Sequence, residues 1–174
     1  MGLSSKKILR IPITISPKEH ILEEIRKYLQ KIKSQKSKIK SEEIKPLIIF
    51  TPNPEIIVYS QKDARFKQIV ASSQINIPDG AGICWAMRKK YDCAVERLSG
   101  VDFMQDLSLF ASKESFRIGI IGGRRGVAVS ALECLHKQYP ELQGWAMDGP
   151  EMKMSNVKCQ MSNKSQNLNN QIKE

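Results

Sequence analysis

The chain has 174 residues, of which 41% are hydrophobic, and a formal net charge of +10 at pH 7; that length builds one domain with a real core and is too short for two ordinary ones. There is no run of about 18 apolar residues, and Met1-Gly-Leu-Ser-Ser-Lys-Lys7 lacks the apolar stretch and small-residue cleavage site of a signal peptide. A membrane span is excluded on this reading, and the chain is expected to remain in the cytoplasm. The basic excess does not point to nucleic acid, because much of it comes from Lys31 to Lys45 and the C-terminal tail, with aromatics at only 6% and no helix-turn-helix or RNA-recognition signature.

In chain order, Ile8-Leu-Arg-Ile-Pro-Ile-Thr14 predicts a first strand, with Pro12 favouring a sheet edge. Ser16-Pro-Lys-Glu19 reads as a capping box with proline at the first helical position, opening a helix whose apolar face is Ile21, Leu22, Ile25, Leu29 and Ile32. Past Lys31 the apolar content falls, and the helix is expected to extend and then fray into a lysine-rich loop ending near Lys45. Pro46-Leu-Ile-Ile-Phe50 predicts a buried strand, and Ile56, Ile57, Phe66, Ile69 and Val70 suggest short helices leading to a strand at Ile75-Asn-Ile77. A helix follows over about Gly80 to Lys90, in which Trp85 reads as packing, the alternative being stacking on a sugar. Ser99 or Asp102 caps another helix bearing Phe103, Met104, Leu107 and Phe110. Phe116 to Ile121 predicts a strand, and Val127 to Gln138 a helix. Strands alternating with helices of this length predict an α/β fold, a three-layer Rossmann-like unit with a mainly parallel sheet.

From Pro150 the composition changes to asparagine, glutamine, serine, lysine and scattered methionine. So polar a segment cannot bury enough surface to offset its ordering entropy. The expected division is a domain over residues 1–150 and a disordered tail over 151–174.

Four cysteines, Cys84, Cys93, Cys134 and Cys159, have no CxxC spacing, and His20 and His136 lie on predicted helices away from them. Neither a metal site nor any other cofactor is expected. Cys84 and Cys134 read as small core hydrophobes, and the two histidines as helix-surface residues.

The chemistry-bearing residues follow apolar runs. Thr51-Pro-Asn-Pro-Glu55 and Pro78-Asp-Gly-Ala-Gly82 each read as a strand ending in a polar turn. In an open parallel sheet ligands bind beyond the carboxyl ends of the strands, so Thr51, Asn53 and Asp79 are aimed where chemistry would occur, while Gly80 and Gly82 let the backbone approach a ligand. Asp79 and Asn53 also read as helix caps. Arg97, in Glu96-Arg-Leu-Ser-Gly-Val-Asp102, suits a phosphate-binding fork, or a surface ion pair with Glu96 or Asp92. Gly122-Gly-Arg-Arg-Gly126 opens a helix after an apolar strand; the backbone of Gly122, Gly123 and Gly126, with Arg124, forms a candidate anion site. It is neither a GxGxxG fingerprint nor a Walker sequence, so NAD and ATP are not favoured.

These four motifs in this order resemble the WecG/TagA/CpsF family of bacterial glycosyltransferases, from about Ile8 to Gly149. The resemblance implies an inverting hexosyltransferase that moves a sugar such as N-acetylmannosamine from a UDP-sugar to a polyprenyl-diphosphate-linked acceptor, in polysaccharide or teichoic acid synthesis at the inner face of the plasma membrane. A basic protein held peripherally at an anionic leaflet gains roughly 1 kcal/mol per lysine close to the surface. Inverting transfer needs a base for the acceptor proton, and Asp79 suits that role provided it comes within hydrogen-bond reach of the acceptor; Thr51 is paired with it as catalytic. Asn53, Arg97, Gly80 and the Gly122 turn with Arg124 are assigned to substrate binding. A homo-oligomer is compatible with the resemblance. Family members continue through further strands and helices, a turn bearing a glutamine and a basic appendage; the change after Pro150 therefore predicts a truncated product, the alternative being an inactive remnant that at most binds a nucleotide or a partner.

Overall fold

A computed structural model describes residues 2–35 and 45–149. The expected tail, the lysine-rich loop over 36–44 and Cys159 lie outside the described residues. The fold is a mixed α/β arrangement of short strands and helices, in which two of three strand pairs are parallel.

The chain opens with a hairpin, β1 (Ser5–Ile8) against β2 (Ile11–Thr14), paired antiparallel from Ser5 with Thr14 to Ile8 with Ile11. The single strand expected over Ile8 to Thr14 is thus two. Leu9 and Arg10 make the turn at φ 48° and 72°, the left-handed geometry of a two-residue hairpin that is usually signalled by Asn-Gly or Asp-Gly. Pro12 is tolerated within β2, opposite Lys7. Helix α1 (Lys18–Gln35) follows, with Ile21 and Ile25 buried and Leu22, Leu29 and Ile32 half-buried. The capping box is not used as expected: Ser16 Oγ accepts the Ser4 N–H at 3.0 Å, and the Pro17 carbonyl receives the first helical hydrogen bond, from Ile21.

Next come β3 (Ile49–Phe50), α2 (Pro54–Tyr59), α3 (Ala64–Ser72), β4 (Ile75–Asn76), α4 (Ala81–Tyr91), α5 (Gly100–Lys113), β5 (Arg117–Ile121), α6 (Val127–Gln138) and β6 (Gln143–Met147). Strands β3 and β4 pair parallel, as do β5 and β6. Three helices begin in the same way. Asn53, Asp63 and Ser99 lie in extended backbone and accept the N–H groups of Ile56, Phe66 and Asp102, each cap contributing about 1 kcal/mol.

Among the described residues the backbone ladder is divided into three two-stranded pairs rather than running through one sheet. A side chain bridges the first two pairs: buried Thr14 Oγ1, on β2, accepts the buried Asn76 N–H of β4 at 3.2 Å. Thr14→Val keeps the shape and removes the acceptor, leaving that N–H buried and unpaired. Stability should fall by about 1–3 kcal/mol, read as a lower urea midpoint at unchanged m-value; a wild-type midpoint would show that the bridge contributes nothing.

Apolar packing lies on both sides of these strands. Ile8, Ile11 and Ile13 meet Ile57, Val70, Ile83 and Met87 from α2, α3 and α4. Ile75 and Ile77 instead meet Ile21 and Ile25 of α1, Leu98, and Phe103 of α5. A third cluster, Ala111, Leu135 and Leu142, ties β5, β6 and α6 to the end of α5. The opposite face of the β5–β6 pair carries Ile121, Trp145 and Met147, all more than half exposed.

Two expectations about helix faces are corrected. Trp85 is 68% exposed rather than packed, because α4 buries Ile83 and Met87, one turn apart, and Trp85 midway between them points to the other side. Cys134 is also exposed; it precedes buried Leu135 by one residue, a rotation of about 100° off the buried stripe. Cys84 is partly buried, and burial raises its thiol pKa, as suits a structural cysteine. His20 and His136 lie at the surface. No helix among the described residues is long and apolar enough to cross a membrane, and none of their His, Cys, Asp and Glu side chains group as metal ligands.

Candidate active site at the carboxyl ends of strands β3 and β4

Because β3 and β4 are parallel, their carboxyl ends emerge on the same side, and the backbone keeps them joined beyond the strands. The Ile77 N–H donates to the Phe50 carbonyl at 2.8 Å and the Asp79 N–H to the Pro52 carbonyl at 3.2 Å. A third segment is stitched on when the Leu98 N–H donates to the Pro78 carbonyl at 3.1 Å. Thr51-Pro-Asn-Pro, Pro78-Asp-Gly and Arg97-Leu-Ser-Gly thereby form one rim, and α2, α4 and α5 all start from it.

The side chains meet on that rim. Asp79 Oδ2 accepts the Gly100 N–H, the first residue of α5, at 3.3 Å. Thr51 packs on the Cα of the same glycine: a Cβ there would lie 2.9 Å from Thr51 Oγ1. Pro54 fills the space over the first turn of α4, so a Cβ on Gly82 would come within 2.7 Å of its Cγ and one on Gly80 within 3.5 Å of its Cδ. Gly80 itself stands at φ 93°, where a side chain would be strained.

Three of the expected roles are decided by this geometry. Asp79 does not cap α4; the N-cap is Gly80, without a side-chain hydrogen bond, and the carboxylate is turned to α5. Asn53 does cap α2, its Oδ1 accepting the Ile56 N–H at 2.9 Å, so its amide nitrogen remains for a ligand. Arg97 is exposed and forms no ion pair with a described carboxylate, Glu96 and Asp92 included. It lies near the first turn of α4: burial dominates the Cys84 thiol pKa, raising it, while the Arg97 charge acts in the opposite direction.

The glycine turn forms a second locus. Gly122, Gly123 and Gly126 have φ of 127°, 76° and 80°, and Gly126 is the N-cap of α6. The Gly126 N–H is not open, however: it donates to Asp148 Oδ1 at 3.0 Å, and the Gly122 N–H donates to the Met147 carbonyl at 3.1 Å. The turn is thus held against the end of β6, where a Cβ on Gly149 would lie 3.1 Å from Gly122 Cα. Arg124 is exposed beside it. The ties of Gly122 and Gly126 run to Met147 and Asp148 at the end of β6, whereas those of Thr51 and Asp79 run to Gly100 beyond the ends of β3 and β4.

Sequence reasoning missed Gly100, Asp148 and Gly149. Gly100 directly follows the capping Ser99, and Asp148-Gly149 repeats the Asp-Gly pair of Asp79-Gly80 after a strand; both signals were in view.

The family model described as "Glycosyl transferase WecG/TagA/CpsF family" matches residues 7–174. The chain belongs to this glycosyltransferase family. The WecG/TagA/CpsF match runs beyond Gly149, through the polar segment. Among curated relatives, a Bacillus subtilis protein named N-acetylglucosaminyldiphosphoundecaprenol N-acetyl-beta-D-mannosaminyltransferase is 28% identical over 96 residues, 55% of this chain and 38% of the relative. Its Staphylococcus aureus namesake is 22% identical over 114 residues, 66% of this chain and 45% of the relative. The matches therefore span less than half the length of these WecG/TagA/CpsF relatives.

Proposed function

We propose that this chain carries the acceptor-activating part of an inverting glycosyltransferase that moves an N-acetylmannosamine-like sugar from a UDP-sugar to a polyprenyl-diphosphate-linked acceptor. The observation that carries the reading is the meeting of Asp79 and Thr51 on Gly100, at the carboxyl ends of two parallel strands in a member of this family. Asp79 is the base that takes the acceptor hydroxyl proton, and the attacking oxygen then displaces the nucleoside diphosphate with inversion at the sugar carbon. Thr51 and the free amide of Asn53 hold hydroxyl groups of the reacting sugars. Arg97 offers a paired-donor fork to the departing diphosphate, and Gly80, without a side chain, brings backbone close to it.

The Gly122–Gly126 turn and Arg124 are proposed as a second anion contact for the donor, in competition with Asp148. Residues 1–150 act as the working unit, a three-layer Rossmann-like arrangement in which the two packed sides of the strands are the outer layers. The net charge of +10 supports a peripheral position on the anionic inner leaflet, where a lipid-linked acceptor is presented.

The test is direct: the full chain, incubated with UDP-N-acetylmannosamine and an undecaprenyl-diphosphate-linked N-acetylglucosamine in detergent, should release UDP and yield a lipid heavier by one N-acetylhexosamine. Absence of that product, together with absence of UDP-sugar binding by calorimetry, would dismiss the reading.

A further inference from the structure

Gly100 is an unusual residue to open a helix. Its φ is not in the left-handed region, so conformational freedom does not require glycine, and within a helix glycine costs about 1 kcal/mol relative to alanine. The requirement is steric. A Cβ would stand 2.9 Å from Thr51 Oγ1 and 3.4 Å from both Thr51 Cβ and Cγ2, and β-branched threonine, stiff about χ1, has little room to give way. On its other side the same residue presents its N–H to Asp79 Oδ2. One backbone unit therefore touches the two side chains to which transfer is assigned, one through a donor and the other through the absence of a side chain.

We propose that Gly100 is a positioning residue that sets Asp79 and Thr51 in a common geometry, a role that rests on the transfer reading above. The hydrogen bond fixes which carboxylate oxygen is engaged and leaves Oδ1 for the acceptor proton. The bare Cα fixes the rotamer of Thr51. Gly100→Ala keeps the N–H and adds only the Cβ, so it should displace Thr51 while leaving the helix intact or slightly firmer.

In the full chain, Gly100→Ala should lower kcat by about 10²-fold, the scale of an ångström-sized misplacement, with KM for the UDP-sugar little changed and Tm lowered by at most a few degrees, the crowding at Thr51 being partly offset by the gain in helix propensity. Placed on a Thr51→Ala background, the same substitution should cost nothing further. A Gly100→Ala enzyme with wild-type kcat, or one losing as much with Thr51 absent as with it present, would overturn the proposal. A second arm needs no turnover. By NMR, Asp79→Asn should move the Gly100 amide proton resonance, and Gly100→Ala should change the Thr51 χ1 couplings; if either stays unmoved, the positioning role is wrong. A wild-type chain that neither transfers sugar nor binds the UDP-sugar but shows both NMR responses would refute the transferase reading and keep the geometry.

Discussion

Asp79→Asn is expected to lower turnover by about 10²–10⁴-fold, the range for loss of a general base, equivalent to about 3–5 kcal/mol in the barrier. Asparagine retains a carbonyl oxygen that can accept the Gly100 N–H, so the tie to α5 survives and the proton-accepting capacity does not. A purely structural Asp79 behaves differently. Weakening that tie by removing the charge costs at most about 1 kcal/mol, which for a chain of this size shifts Tm by no more than about 2–4 °C and leaves kcat near wild type at temperatures well below the transition. Measuring UDP release beside a thermal melt separates the two. Near-full turnover in the variant would remove Asp79 from the chemistry, whatever its Tm.

A further large effect is expected at Arg97. A charge-assisted hydrogen bond is worth about 1.5–3 kcal/mol, so Arg97→Lys, which keeps the charge and loses the fork, should reduce kcat/KM by about 10–10²-fold. The loss should be similar for Arg97→Gln if the paired geometry, rather than the charge, is what the diphosphate reads. The two variants divide on a second measurement. Since the Arg97 charge opposes the upward pull of burial on the Cys84 thiol, Arg97→Gln should raise that thiol's pKa further and slow its alkylation at mildly alkaline pH, followed on the Cys84 peptide by mass spectrometry. Lysine should preserve the rate. An Arg97→Lys enzyme with unaltered kcat/KM would show that no fork is used.

Much of the local structure was legible because each signal was carried by neighbouring residues. The α6 boundaries, Val127 and Gln138, coincide with the expected ones, since a glycine turn precedes the helix and its apolar positions recur with helical period. The cap at Ser99 was legible for the same reason, as was the alternation of strands and helices. The hairpin was not. A run of Ile, Leu, Arg, Ile, Pro and Ile lacks the usual two-residue turn signal, yet Leu9 and Arg10 adopt left-handed backbone between buried Ile8 and Ile11. Nor was the place of Trp85, which its phase on the helix, midway between buried Ile83 and Met87, turns to solvent. For the site, the strand-end rule brought Thr51 and Asp79 to one edge, while the partner of the Asp79 carboxylate could not be read from its neighbours: Asp79 precedes one helix and is bound to the start of another, a choice made by tertiary packing of α5 against α1 and β4.

The way the rim is stitched has a consequence for how this chain acquires its site during folding. The Asp79–Pro52 and Leu98–Pro78 hydrogen bonds each close a long stretch of chain, and such closures cost entropy before any contact returns it. None of the three segments contains a local precursor of the Thr51–Gly100–Asp79 geometry; it exists only once β3 lies beside β4 and α5 has docked. A peptide bearing any one motif would carry none of the arrangement, and partial opening of α5 would dissolve it while most of the core stayed intact. Competence for chemistry should therefore be the last property gained on refolding and the first lost under mild denaturant, ahead of the bulk loss of helix.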